Sequence, residues 1–198
     1  MSDLALAETR AWVERAVIGL RLCPFAGAPL LRGQVRFVLS EARDVEALLG
    51  ALQGELERIA AEPAERIETT LLVHPFVLTD FLDYNDFLDD AEAAVARLGL
   101  EGAIQIASFH PDYCFAGSDP DDVANATNRS PHPMLQLLRE ESVERALAGV
   151  ARPEAIFEAN IATLKRLGWT GWNALRRECR ADARAAAPAR EAGVAGEP

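Results

Sequence analysis

The apolar residues in the first two thirds of the chain follow two alternating periodicities. Apolar side chains recur every three or four residues in three segments, which predicts amphipathic helices at 4–22, 45–59 and 81–98. Short runs rich in β-branched residues predict strands at 34–39, 67–73 and 103–109. After the first helix the order is strand, helix, strand, helix, strand, and such alternation favours right-handed crossovers with parallel strands.

The last third of the chain predicts mainly helices. Ser130 followed by Pro131 is typical of a helix start, because serine caps a helix and proline fits its first turn, and we expect this helix to run through Leu138. Further helices are expected at 142–147, at 153–168 and after Thr170. The expected fold class is α/β: a single domain with a small, mostly parallel sheet of at least three strands in β-α-β-α-β order, flanked by helices, with a helical C-terminal third.

Composition and charge set the domain limits and exclude some partners. Residues 181–198 are almost wholly Ala, Gly, Pro, Glu and Arg, so we expect a disordered tail after one domain at 1–180. The formal charge of −11 argues against nucleic acid as a partner. No apolar run approaches the roughly 18 to 20 residues that cross a bilayer, and no basic leader follows Met1, so we expect a cytoplasmic protein without membrane contact. The sequence leaves the oligomeric state open.

The histidines of the chain are the first candidates for chemistry. Each is followed by proline, and two of them, His74 and His110, directly follow predicted strands. Ligands of open parallel sheets bind beyond the carboxyl ends of the strands, so both imidazoles are expected at that edge. An imidazole titrates near neutral pH and can act as an acid or a base. The alternative is that each histidine only bonds a loop carbonyl.

The loop after His110 adds two more candidates. Asp112 and Tyr113 would carry a carboxylate and a phenol to the same edge, which gives a predicted catalytic set of His74, His110, Asp112 and Tyr113. The two strand-end histidines and His132 could instead supply three ligands to a divalent transition metal. No His-x-x-x-His or Cys-x-x-Cys spacing supports that metal, so metal-assisted and metal-free sites both stay open.

The segment 125–133 is dense in polar groups and leads into an apolar stretch. Backbone N–H groups at a helix N-terminus attract anions, and a guanidinium suits a carboxylate or a phosphate. We therefore expect an anionic small molecule to contact Asn125, Asn128, Arg129, Ser130 and His132. The alternative is a capping turn in which the asparagines satisfy backbone groups and the arginine pairs with a surface acid.

Cysteine usage adds one further candidate. Cys23, Cys114 and Cys179 are an odd number without a close pair, so free thiols are expected. Cys23 follows the first helix and precedes Pro24, where it is either a small buried side chain or a thiol activated by a nearby histidine or arginine. We include Cys23 among the candidate substrate-binding residues.

Several motifs of the chain are similar to those of one group of bacterial proteins. They are Cys23-Pro24-Phe25, His74-Pro75 with Phe81-Leu82-Asp83-Tyr84-Asn85, Phe109-His110-Pro111-Asp112-Tyr113, and the segment 125–133 running into Leu135, Leu138, Arg139 and Glu140. On these motifs the chain resembles the domain-of-unknown-function 1415 family over nearly its whole length except the tail. The resemblance brings no activity, cofactor or catalytic residue with it.

Three functional hypotheses follow from these residues. The first is a small-molecule enzyme whose His/Asp/Arg site lies at the carboxyl ends of the strands and acts on an anionic metabolite, with or without a metal. The second is a non-catalytic module that binds a metabolite or a metal in the same pocket. The third is a scaffold with neither role.

Overall fold

A computed structural model describes residues 2–150 and 152–186 of the protein. Within these residues the chain forms four strands: β1 (Val35–Leu39), β2 (Thr69–Val73), β3 (Ile104–Phe109) and β4 (Met134–Arg139). The α-helices of this part are α1 (Ser2–Trp12), α2 (Gly27–Leu31), α3 (Val45–Ala61), α4 (Phe81–Arg97), α5 (Glu140–Leu147) and α6 (Glu154–Ala186). A π-helix, Val13–Ile18, extends α1, and a 3₁₀-helix, Val123–Thr127, precedes β4.

The succession of strands and helices predicted for residues 34–109 is confirmed. Asp44 caps α3 by accepting a hydrogen bond from the N–H of Ala47, and Asp80 caps α4 through the N–H of Leu82. Gly99 ends α4 with a φ of +67°, a conformation that glycine adopts without steric cost. The local signals of caps and apolar stripes therefore agree with the fold in this region.

The expectation of a mostly parallel sheet is wrong. The strand order is β1-β2-β4-β3, in which β1 and β2 pair in parallel and β4 lies antiparallel to both of its neighbours. The sequence 134–139, expected to be helical, forms β4, and no helix begins at Ser130. A short, mainly apolar segment fits a buried strand as well as a helix, so periodicity alone could not separate the two.

Strand β4 separates β2 from β3, which lies at the edge of the sheet, but the carboxyl ends of β2 and β3 still meet as expected. Since β4 runs against both β2 and β3, those two strands point the same way, and their carboxyl ends meet at one edge of the sheet. Helices α3 and α4 cover one face, while α1 and α6 cover the other. Each face has its own apolar core, so helices from both faces border the edge where β2 and β3 end.

The C-terminal helix is longer than the sequence predicted. Gly168 interrupts α6 with φ +64° and ψ 173°, at the position where the sequence indicated a helix end. The second half of α6 continues to Ala186, six residues into the predicted tail, and residues 187–198 lie outside the described residues. None of the helices in the described ranges is long and apolar enough to span a membrane.

Candidate functional site

The two strand-end histidines lie together, as predicted from the topology. His74 and His110 both pack against the ring of Tyr84 in α4, with ring centroids 5.8 Å and 5.2 Å from it. The separation of the two imidazoles is therefore no greater than the sum of these distances. Both histidines are fully buried. His110 lies at the expected edge of the sheet, but Phe81 and Tyr84 of α4 cover it there.

Backbone hydrogen bonds fix the tautomers of the two imidazoles. Nδ1 of His74 lies 3.1 Å from the carbonyl oxygen of Val77, which only accepts, so this nitrogen carries the proton. Nδ1 of His110 accepts from the N–H of Asp112 at 3.1 Å, so the proton of its neutral ring is on Nε2. The Nε2 atoms of both rings are buried and have no hydrogen-bond partner in the described part of the protein.

Burial keeps both imidazoles neutral at pH 7. Burial, together with a smaller effect of His110, lowers the pKa of His74 to about 4, although the hydrogen bond that His74 donates to the Val77 carbonyl opposes this shift. Burial also lowers the pKa of His110, although Asp112 partly opposes this shift. A histidine with so low a pKa is a weak base, and it has no access to solvent here.

Tyr84 joins the histidine pair to the sheet. Its hydroxyl donates to the carbonyl of Met134 at 2.9 Å and accepts from the N–H of Phe109 at 3.0 Å. These two bonds connect the start of β4 to the end of β3, and burial raises the pKa of the phenol. We call His74, His110 and Tyr84 the histidine cluster.

The three histidines do not converge on one point, as a metal site would require. The Nε2–H of His132 donates to the carboxylate of Glu8 in α1 at 2.9 Å, on the α1/α6 face of the sheet, while the other two histidines lie on the α3/α4 face. The Nε2–H of His110 also has no lone pair to offer while Nδ1 holds the Asp112 N–H. Within the described ranges no three His, Cys, Asp or Glu side chains are grouped to hold a metal ion.

The segment 125–133 is held by backbone groups rather than shaped as a helix start. Asn125 accepts from the N–H of Phe115 and donates to the carbonyl of Asp119, and the Asn128 amide donates to the carbonyl of Ser108. Ser130 donates to the carbonyl of His132 and caps no helix. The helix N-terminus predicted at Ser130 is therefore wrong, and the side chains of Asn125, Asn128 and Ser130 form hydrogen bonds within the loop. The contact of these residues with an anion stays a prediction.

Arg129 is positioned by the same loop and forms no ion pair with any residue of the described ranges. It donates from Nε to the carbonyl of Tyr113 and from Nη2 to the carbonyl of Pro120, both at 3.0 Å. Its guanidinium carbon lies 5.0 Å from the ring centre of Trp169, a cation–π arrangement. Carbonyl dipoles and a ring orient the guanidinium without neutralising it, so the positive charge remains available to a ligand.

A second polar region lies on the α1/α6 face. A narrow cleft there, which we call the arginine cleft, is lined by Glu8, Trp12, Arg129, Ser130, Pro131, Arg176, Cys179 and Arg180. Its enclosed space of about 20 Å³ admits a small group at most. Helix α1 supplies the carboxylate and the indole, the loop before β4 supplies one guanidinium, and α6 supplies the other two.

The electrostatics of the arginine cleft are unbalanced. Arg176 is half-buried, and burial lowers the pKa of its guanidinium, with Arg180 and Arg129 lowering it further and Asp112 opposing them. Neither Arg176 nor Arg180 forms a hydrogen bond or an ion pair with any described residue. Glu8 bonds to His132, which with Arg180 lowers the pKa of the Glu8 carboxyl and keeps it ionised.

The cysteines are not nucleophiles in this cleft. Cys179 lines it but is buried, which raises the pKa of its thiol to about 11 and leaves it protonated. Cys23 lies in the turn between the π-helix and α2, where its backbone bonds to Val17, and it does not line the cleft. Its predicted role in substrate binding stays a prediction.

The comparisons agree with the resemblance read from the motifs. A family model described as "Protein of unknown function (DUF1415)" matches residues 5–174. The chain belongs to this family. None of the curated proteins and none of the solved structures matches the chain. The range matched to DUF1415 includes both strand-end histidines and Arg129, and it ends just before Arg176 and Arg180.

Sequence reasoning missed the helical half of the site in this DUF1415 member. Glu8, Arg176 and Arg180 lie in amphipathic helices whose charged residues look like an ordinary solvated surface. One signal was present, because Trp172, Arg176 and Arg180 recur every four residues and so share one face of a helix. Since Trp172 is buried, that face of the helix packs against the protein. Arg176 on the same face is half-buried, and Arg180 is exposed.

Proposed function

We propose that the protein binds a small oxyanion, of the carboxylate or phosphate class, in the arginine cleft. The observation that carries the proposal is Arg176, a half-buried guanidinium without an ion pair or hydrogen bond among the described residues. Its nearest basic neighbours are Arg129 and Arg180, which repel it. Burial and these two like charges disfavour the charged guanidinium, and Asp112 offsets only part of that cost without forming an ion pair with it. A bound anion would remove the rest.

The hydrogen-bonding groups around the cleft favour the same ligand. Donors exceed acceptors, because Arg176 and Arg180 use none of their N–H groups within the described residues. Trp12 also lines the cleft, and its buried indole N–H has no acceptor among the described residues. An oxyanion consists of acceptors only, and guanidinium forks bind it with two parallel bonds.

The charge of the whole molecule makes this region distinctive. The chain carries 31 acidic and 20 basic residues, so most of its surface repels anions. Three guanidiniums on one cleft form a local positive field in that background, which attracts an anion and orients it.

Binding is better supported than catalysis by the histidines. His74 and His110 are buried behind α4, each is tied by Nδ1 to the backbone, and burial lowers the pKa of both. Catalysis by His110 would require Phe81 and Tyr84 to move away from it. The non-catalytic module is therefore our preferred function, and acid–base chemistry at His110 ranks behind it.

Calorimetric titration of inorganic phosphate and acetate into the purified protein tests the proposal. The wild type should bind at least one of the two anions, and Arg176→Met should weaken that binding at least tenfold. Arg177→Met is the matched control, since it removes the same charge from the next, exposed position of α6 and should change affinity less than twofold. Equal losses in both variants, or no binding by the wild type, would contradict the proposal.

A further inference from the structure

We infer that the ligand of the arginine cleft carries a doubly charged tetrahedral group, the terminal phosphate of a phosphate monoester. This inference rests on the proposed function and narrows it from oxyanions in general. Two independent properties of the cleft lead to it: the charge of its lining and the number of separate elements that supply its donors.

The charge of the lining matches a dianion. Among the lining residues, the guanidiniums of Arg129, Arg176 and Arg180 oppose the carboxylate of Glu8, which gives the lining a formal charge of +2. Asp112 also acts on Arg176 but lies outside the lining. Glu8 is already engaged by His132 at 2.9 Å. It therefore reduces the local charge without being free to hold a cationic group of a ligand. A monoanionic carboxylate would leave half of the positive charge uncompensated, whereas a phosphate monoester at pH 7.5 carries nearly two negative charges.

The geometry of the lining matches a tetrahedral group. The lining residues that carry N–H donors belong to three separate elements: Trp12 to α1, Arg129 to the loop before β4, and Arg176 with Arg180 to α6. A carboxylate offers two oxygens in one plane, which a single guanidinium fork satisfies. A phosphate offers three terminal oxygens in three directions, one for each of these elements.

The size and opening of the cleft indicate a head group with a substituent. The cleft leaves about 20 Å³ to the centre of a water molecule, so the buried part of the ligand is small, a single group such as a phosphate at most. Arg180 is exposed, so one wall of the cleft faces solvent. An ester substituent can leave the cleft on this side. The loop that carries Arg129 is fixed by the carbonyls of Tyr113 and Pro120, so one guanidinium is in place before the ligand arrives.

Four probes separate charge from shape in competition calorimetry at pH 7.5 and constant ionic strength. Methyl phosphate is the dianionic ester, methyl sulfate has the same shape with one charge, succinate has two charges in another shape, and inorganic phosphate lacks the substituent. We expect methyl phosphate to bind at least tenfold more tightly than methyl sulfate and succinate, and no more weakly than inorganic phosphate.

The outcomes distinguish this inference from the proposed function. Equal affinity for methyl phosphate and methyl sulfate, or tighter binding of succinate, would overturn the phosphate assignment while leaving an oxyanion site. Tighter binding of inorganic phosphate would overturn the ester and assign the cleft to the free ion. Absence of binding by all four probes would overturn both proposals.

A charge variant tests the same point independently. Arg180→Met lowers the formal charge of the lining to +1, so the preference for methyl phosphate over methyl sulfate should fall at least threefold relative to the wild type. Arg177→Met changes the net charge of the protein equally but lies outside the lining, and it should keep the full preference. The same ratio in both variants would contradict a role of the lining charge.

Discussion

The two polar regions of the molecule lie on opposite faces of one sheet and differ in access and charge. The histidine cluster is closed by α4, neutral at pH 7 and bonded to the backbone. The arginine cleft is partly open, positively charged and short of acceptors. Residue type and strand position indicated the histidine cluster, whereas the unpaired guanidiniums seen in the structure indicate the arginine cleft. A reactive side chain at a strand end is thus a weaker sign of a ligand site than an unpaired charge beside a cleft.

The largest effect is expected where the histidine cluster supports the sheet. Tyr84→Phe leaves the N–H of Phe109 and the carbonyl of Met134 without their buried partner, so the free energy of unfolding should fall by about 3 kcal/mol. Urea denaturation measures this loss, and phosphate affinity should stay unchanged.

Tyr113→Phe is the matched control for the loss of one phenol hydroxyl. The Tyr113 hydroxyl only accepts a 3.4 Å bond from Ser108, so its removal should cost less than about 1 kcal/mol. Equal losses in the two variants would contradict the structural role given to Tyr84.

Acid should destabilise the protein through the same cluster. The unfolded chain protonates His74 near its ordinary pKa of 6.5, while the folded protein does so at about 4, so the unfolded state binds more protons between these values. Stability is full above pH 6.5 and declines as the pH falls, by about 2 kcal/mol at pH 5. Denaturation curves between pH 7.5 and 5 measure the slope.

His74→Asn tests the assignment of that slope. The asparagine amide can still donate to the carbonyl of Val77, but it does not titrate. The variant should lose most of the acid sensitivity even if it is less stable at pH 7.5. An unchanged slope would show that another group is responsible.

A smaller effect is expected from the unpaired arginine. Arg176→Met removes a half-buried charge without a partner in the described residues, so the free energy of unfolding should stay constant or rise by up to about 1 kcal/mol. Arg36→Met offers the contrast, because Arg36 forms two hydrogen bonds with the largely buried Glu55 at 2.7 and 2.9 Å. That variant should lose about 2 kcal/mol. A comparable loss in Arg176→Met would mean that Arg176 serves the fold.

The smallest effect concerns the carboxylate in the cleft. Glu8→Gln raises the formal charge of the lining from +2 to +3, so methyl phosphate should bind about threefold more tightly, as expected for a partly exposed charge. Glu178→Gln changes the net charge equally on the exposed Arg15 pair and should leave the affinity as it is. Calorimetry on both variants decides whether the position of the charge matters.

Much of the fold could be predicted from the sequence because it depends on local signals. Short stretches of sequence determine the caps at Asp44 and Asp80, the helix end at Gly99 and the apolar stripes of α3 and α4. The strand β4 could not be predicted, since it is stabilised by pairing with β2 and β3, which are distant in sequence.

The candidate site was predictable only in part for a related reason. His74 and His110 share an edge because strand direction dictates it, but their burial depends on where α4 packs. Arg129 was expected to bind an anion at a helix N-terminus that does not exist, yet it still lines the cleft. Arg176 and Arg180 meet it only because α6 lies along α1, a contact that no local pattern encodes.

The location of a bound oxyanion tests the central claim most directly. Crystals soaked in tungstate, a tetrahedral dianion with strong anomalous scattering, would show where such a group binds. We expect an anomalous peak in the arginine cleft within hydrogen-bond distance of Arg176, absent from crystals of Arg176→Met and present in those of Arg177→Met. A peak beside His74 and His110, or a cleft that stays without a peak at saturating tungstate, would contradict it.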